Sequence, residues 1–284
     1  MPAWRAIPSP FSVETGTVLL LEAADVSAND LRQQLLDERY PKPFVVDDGE
    51  RRYLYFNVRL MQSEMRLSTP HTLELRYTQK MMACLLFCPR PRRILLIGFG
   101  GGSLVKFIHR QLPGAHLTAV DIDPDILAWR EVFFVPPDGP RLLTIAGDGA
   151  AYLSTVDKGL DLILLDAFDK EGFAPGLATR EFIADAHRKL SGHGVLVINL
   201  AGDRGSYSGL IALVAEVFDD QCLILGVPED GNDVLFAFRD PYFEPRWRWV
   251  HNFAKELRAH HQLDFPGFAR ELEQAAKQGV ARYL

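Results

Sequence analysis

The chain of 284 residues has little cysteine, no long apolar run and no excess of basic charge. Its three cysteines, Cys84, Cys88 and Cys222, are too few for a disulfide framework. Cys84 and Cys88 lie about one helical turn apart. No second cysteine pair or histidine-rich segment accompanies them, so buried thiols are expected there and no metal. The eight histidines are scattered and form no H-E-x-x-H pattern. No segment approaches the roughly 20 apolar residues that span a bilayer. The opening, MPAWRAIPSPFSVETG, lacks the charged-then-apolar order of a signal peptide. A formal charge of −6 gives the molecule no electrostatic reason to seek nucleic acid or anionic lipid. Internal repeats and low-complexity tracts are absent. These absences together predict a soluble cytoplasmic protein with neither a nucleic-acid nor a membrane partner.

What is present is an ordinary globular composition, 48% hydrophobic and 24% charged. Residues 1–90 read as a small β-rich domain. GTVLLLE and PFVV flank a short helix over Asn29–Leu36, RRYLYFNVRL alternates as one strand, and LSTPHTLELRY continues the β texture. Thr78–Leu86 reads as a helix. From about residue 91 to 240 the rhythm is strand, turn, helix, repeated. RRILLIG, HLTAVDI, RLLTIAGDG, DLILLDAFD and GVLVINL are the strands. SLVKFIHRQL, PDILAWREVFF, AAYLST, TREFIADAHRKL and SGLIALVAEVF are the helices. Such alternation predicts a parallel, doubly wound Rossmann-like α/β sheet covered on both faces. CLILGV and DVLFAFR are separated only by a short EDGN turn, too little for a crossover, so this last strand pair should be antiparallel. That variant is the S-adenosylmethionine type of the doubly wound fold. Residues 241–284 read as a C-terminal extension of two helices.

The chemistry-bearing residues fall at the carboxyl ends of the strands, where open α/β sheets bind ligands. IGFGGGS puts Gly98, Gly100, Gly101 and Gly102 between a strand and a helix, where the backbone turns tightly and a ligand can approach it. Asp121 ends the next strand about 20 residues later, placed to accept both hydrogen bonds of a ribose diol. Ser103 stands where a dinucleotide loop needs its third glycine, which argues for a nucleoside without a pyrophosphate. Asp123, followed by Pro124, reads as a helix cap. Asp148, in AGDGA, fits either a cap or a contact to the exocyclic amine of adenine. Asp166 ends the apolar strand DLILL, and Asp169 lies three residues on. A carboxylate at Asp166 can hold an ammonium and take its proton when the amine becomes a nucleophile.

The order IGFGGG, VDID, GDG and DAFD resembles the spermidine synthase (polyamine aminopropyltransferase) family over about residues 50–240. By that resemblance Gly98, Gly100, Gly102 and Asp121 would hold the nucleoside, with Asp148 and Gly149 at the adenine. Asp166 would be the proton acceptor, and Asp169 would hold the substrate amine. Gln62, in MQSEM, would lie near the nucleoside, and Tyr77 near the substrate. The implied donor is decarboxylated S-adenosylmethionine, or S-adenosylmethionine itself, and the implied acceptor is a diamine such as putrescine. The implied assembly is a homodimer or tetramer through the amino-terminal strands. Two motifs depart from the family pattern. The family's acid in GGGDGG falls on Gly101, and its Tyr-His-Glu falls on Tyr77-Thr78-Gln79. Lys170 also replaces the proline of the family's DSSDP loop. Methyl transfer on the same fold, favoured by Gly101, and a nucleoside-binding relative without turnover are the alternative readings.

Overall fold

The structure is a computed structural model that describes residues 4–11, 16–169, 172–202 and 204–280, with 168, 169, 172, 173 and 204 by their backbone alone. The N-terminal region contributes β1 (Arg5–Pro8), β2 (Thr17–Leu20), α1 (Ala28–Leu36), β3 (Phe44–Asp47), β4 (Arg51–Asn57) and β5 (Leu60–Arg66). These five strands form one sheet in sequence order, each antiparallel to the next. RRYLYFNVRL is therefore not one strand. Asn57 Oδ1 accepts the backbone N–H groups of Arg59 and Leu60, at 2.9 and 3.1 Å, and this side-chain turn reverses the chain into β5. LSTPHTLELRY is also not β structure. Pro70 has no N–H to give a ladder, and the segment runs through turns into α2 (Arg76–Met81) and a 3-10 turn over Met82–Leu86.

Next come β6 (Arg93–Ile97), α3 (Ser103–Gln111), β7 (His116–Asp121), α4 (Pro124–Ala128), β8 (Leu142–Ala146), α5 (Gly149–Thr155) and β9 (Leu160–Leu165). A two-residue pair, β10 (Phe168–Asp169) and β11 (Gly172–Phe173), is followed by a 3-10 turn at Pro175–Leu177. Then follow α6 (Arg180–Lys189), β12 (Leu190–Ala201), α7 (Arg204–Val217), β13 (Cys222–Val227), β14 (Asn232–Phe238), α8 (Trp247–His261) and α9 (Phe265–Gln278). Among the described residues the larger sheet has seven strands in the order β13-β14-β12-β9-β6-β7-β8. Its centre is parallel, and β14 is antiparallel to both β12 and β13, as the short turn requires.

The near-continuous apolar strands follow from burial on both faces. Side chains alternate across a strand. Ile94, Leu96, Leu162, Leu164, Val195 and Val197 therefore pack on one face, beneath α3, α8, α9 and the Met82–Leu86 turn. Leu95, Ile97, Ile163, Leu165, Leu196 and Ile198 pack on the other, beneath α5, α6 and α7. The first of these clusters also takes in Leu54 and Met65 of the N-terminal sheet, so one core joins the two sheets. A third cluster sits between that sheet and α1.

PDILAWREVFF is shorter as a helix than its periodicity predicts, because α4 ends at Ala128. Carbonyls past that point are taken by side chains from other elements. Lys106 Nζ donates to the Phe133 carbonyl at 2.9 Å, and Arg52 donates to that of Val132. Trp129 is fully buried, and its indole N–H reaches the Pro43 carbonyl at 3.3 Å. Cys84 and Cys222 are buried free thiols, and Cys88 is half-buried. No helix among the described residues is long and apolar enough to cross a membrane.

Candidate active site

The strand ends β6, β7 and β9 are tied to one another by their backbones. Gly98 N–H donates to the Val120 carbonyl at 2.9 Å, and Asp166 N–H to the Ile97 carbonyl at 2.8 Å. Gly98 has φ +94°, and a Cβ there would fall on the Asp166 carbonyl. Glycine at this position is therefore what lets the loop after β6 close over the end of β9.

Above these ends lies a cleft with a cavity volume of about 240 Å³. Asp121, Asp148 and Asp166 all open into it, joined by Gln62, Tyr77, Gly98, Gly100 and Gly149. Gly102 lies outside the cleft, buried against Val135 at the start of α3. No lysine or arginine is among the described residues that line the cleft. The backbone of Asp169 is placed in β10, while its side chain and all of Lys170 lie outside the described residues.

Asp121 is committed to the loop as well as facing the cleft. Its Oδ2 accepts the Phe99 N–H at 2.7 Å and its Oδ1 the Asp123 N–H at 2.9 Å. Burial raises its carboxyl above the usual range, and these backbone donors pull the other way. Each oxygen keeps lone pairs for a ligand diol. Asp148 caps α5, accepting the Ala151 N–H at 2.8 Å, and it also lines the cleft. Asp123 is a cap, accepting the Asp125 N–H at 2.9 Å.

Two side chains donate to the Asp166 carboxylate. Asn199 Nδ2 donates to its Oδ1 at 2.8 Å, and the Tyr77 hydroxyl to its Oδ2 at 3.3 Å. Burial pushes its pKa up to about 6, the two donors work against that rise, and the charge of Asp121 adds to it. The Tyr77 hydroxyl is itself held well above its ordinary value, by burial and by the adjacent Asp166.

The two departures from the family pattern have structural counterparts. A Cβ on Gly101 would meet Ser63 Oγ at 2.6 Å, Ser63 Cβ at 2.9 Å and Phe133 Cδ1 at 3.0 Å. This backbone has no room for an acid in the loop. Thr78 is buried and donates to the Leu75 carbonyl at 2.7 Å. Gln79 donates to the Leu73 carbonyl at 2.7 Å and accepts from Arg76 at 3.0 Å. Neither lines the cleft, so only Tyr77 of that triplet faces it.

Sequence reasoning missed several lining residues: Phe56 of β4, Ile122 after Asp121, and Ala174–Leu177. Ile122, 73% exposed, had a legible signal as an apolar residue directly after the strand-end acid. Asn199 was also missed, although a lone amide inside the apolar run VLVINL is an anomaly that needs a partner.

A seven-stranded sheet of this order, with a glycine loop and strand-end acids at one cleft, is the S-adenosylmethionine-type variant of the doubly wound fold. The sequence model of the spermine/spermidine synthase domain matches residues 74–201. The chain is 34% identical to the polyamine aminopropyltransferase of Chromobacterium violaceum over 248 residues, covering 87% of this chain and 95% of that protein. It therefore belongs to the polyamine aminopropyltransferase family and is a transferase. Two solved structures share the fold. A probable spermidine synthase from Corynebacterium glutamicum superposes with TM-score 0.65 at 21% identity, over 76% of this chain and 84% of that one. Human methyltransferase-like protein 13, in complex with SAH, gives 0.60 at 23%, over 66% and 92%.

Proposed function

We propose that the protein transfers the aminopropyl group of decarboxylated S-adenosylmethionine to a diamine of the putrescine type, releasing methylthioadenosine. The observation that carries this reading is the cleft lining. Asp121, Asp148 and Asp166 converge on one space that no basic side chain among the described residues lines. An ammonium about 4 Å from one of these carboxylates gains on the order of 4 kcal/mol at the effective dielectric of a half-wet site, and a donor carboxylate there loses as much. The lining therefore favours two cationic substrates and disfavours the carboxylate of intact S-adenosylmethionine.

Asp121 and the glycine loop would hold the ribose, with Asp148 and Gly149 at the adenine. The acceptor nitrogen attacks the propyl carbon bonded to the sulfonium. The C–N bond forms as the C–S bond breaks, and the bonding pair returns to sulfur, which leaves as a neutral thioether. The nitrogen sheds its proton to Asp166. A carboxylate with a pKa of about 6 is a modest base, so positioning and exclusion of water supply most of the acceleration.

The test is to incubate the protein with either donor and a panel of diamines, reading the adenosine product by mass spectrometry. Methylthioadenosine that disappears in Asp166→Asn supports the reading. S-adenosylhomocysteine in its place would mean methyl transfer, the reading that the absent loop acid at Gly101 leaves open.

A further inference from the structure

We infer that Asn232 and Asn199 act in series as positioning residues for Asp166, fixing its Oδ1 in a hydrogen bond and leaving Oδ2 as the oxygen that takes the acceptor's proton. The inference rests on the proposed role of Asp166. Asn199 lies at the carboxyl end of β12, 2% exposed, between Ile198 and Leu200, which are buried as well. A primary amide sunk in an apolar strand is costly unless both of its ends are satisfied. Here both are. Asn199 Nδ2 donates to Asp166 Oδ1 at 2.8 Å, and Asn199 Oδ1 accepts from Asn232 Nδ2 at 2.7 Å. Asn232 opens β14, directly across from Ala201 in the antiparallel register, so the sheet itself sets the spacing of the chain.

The direction of the chain matters because the oxygen and the NH₂ of an amide are nearly the same size and can exchange places. In this arrangement the donor end of Asn199 faces Asp166 and suits its ionised form. Reversed, the Asn199 oxygen would oppose the carboxylate, and only a protonated Asp166 would tolerate that. Asn232, by presenting its NH₂ to Asn199 Oδ1, selects the first arrangement. The same hairpin reaches the other side of the site, because Asp230 Oδ2 accepts the Tyr77 N–H at 2.7 Å. The Tyr77 hydroxyl sits at a long 3.3 Å from Asp166 Oδ2, the oxygen left for the incoming amine. Among the described residues the other charges acting here are carboxylates: Asp121 on Asp166, and Asp230 on Tyr77.

The experiment compares Asn232→Ala, Asn232→Asp and Tyr77→Phe with the natural chain. Two readouts are taken. One is kcat and donor KM against pH. The other is the titration of the Asp166 carboxyl carbon by NMR in the substrate-free protein, assigned by its loss in Asp166→Asn. A carboxylate at position 232 cannot donate and forces the reversed Asn199 amide. N232D should therefore lower kcat about 10- to 100-fold and N232A about 3- to 10-fold, with donor KM within about twofold. In N232D the acid limb and the carboxyl titration should both move up by about one pH unit. In Tyr77→Phe the Asn199 bond survives, so the shift should be smaller. A carboxyl titration unchanged in both Asn232 variants overturns the inference, whether or not turnover is detected. A natural chain that forms no methylthioadenosine overturns the proposed function instead, and the titration still decides whether the two amides hold Asp166.

Discussion

Gly101 packs against Ser63, with the nearest side-chain atom only 2.6 Å from where a Cβ would stand. Ser63 belongs to β5 and Gly101 to the loop after β6, so this contact joins the N-terminal sheet to the carboxyl edge of the larger one. The Ser63 and Ser103 hydroxyls, 3.2 Å apart, extend the same seam. Gly101→Ala should cost about 1–3 kcal/mol by overpacking. Ser63→Gly in the same chain should restore at least half of it. Urea unfolding of the four chains of the cycle measures this, and additive costs would show that the two residues do not compete for space.

Asp166 titrates near 6 in the fold, against a reference of 3.8. A carboxyl raised by folding contributes stability below pH 4, and loses it as the pH climbs through 6. At pH 8 the natural chain holds a poorly solvated charge that Asp166→Asn lacks. The variant should be more stable there by about 1–3 kcal/mol while losing activity, and the advantage should vanish at pH 4. Thermal unfolding across pH 4–8 is the measurement, and an equal gain at both ends would contradict the assignment.

Asp121 holds the Phe99 and Asp123 amides and still offers lone pairs to a ligand. Asp121→Ala removes both roles. Methylthioadenosine should bind about 10- to 100-fold more weakly by calorimetry, the loss expected when hydrogen bonds to a charged group go. Affinity within twofold of the natural chain would mean that the ribose lies elsewhere.

Lys106 is 1% exposed, and no carboxylate pairs with it among its described contacts; it donates to the Phe133 carbonyl and to Met65 sulfur. Burial pulls its pKa from 10.5 to about 7. The folded chain releases this proton near pH 7, whereas the unfolded chain keeps it up to 10.5. Stability should therefore rise between pH 7 and 9 by about 1–3 kcal/mol, and the slope should flatten in Lys106→Met. Denaturant midpoints at pH 7 and 9 test this, and an unchanged slope would assign it to another group.

Much of this site was legible along the chain because its logic is local. Strand-end acids at Asp121 and Asp166, and a glycine turn after RRILLI, follow from apolar runs that must be buried on both faces and must stop where the ligand crevice begins. The antiparallel final pair follows from a turn too short for a crossover. Local pattern failed where distant groups captured the backbone. Lys106 and Arg52 take the Phe133 and Val132 carbonyls in a stretch where the helical periodicity runs on after α4 has ended. The Asn57 side chain turns what reads as one long strand into two.

The sequence by itself determined the strand and helix alternation after about residue 91, the S-adenosylmethionine-type sheet and the acids at its carboxyl edge. Those depend on burial and turn chemistry within a few residues of each site. Only the tertiary structure decided that Gly101 has no space for a side chain, that Thr78 and Gln79 turn away from the cleft, and that Asn232 reaches Asp166 through Asn199. The first and last of these are contacts between segments remote in sequence. Packing at a distance of a few ångströms, which no periodicity encodes, selects which polar groups meet.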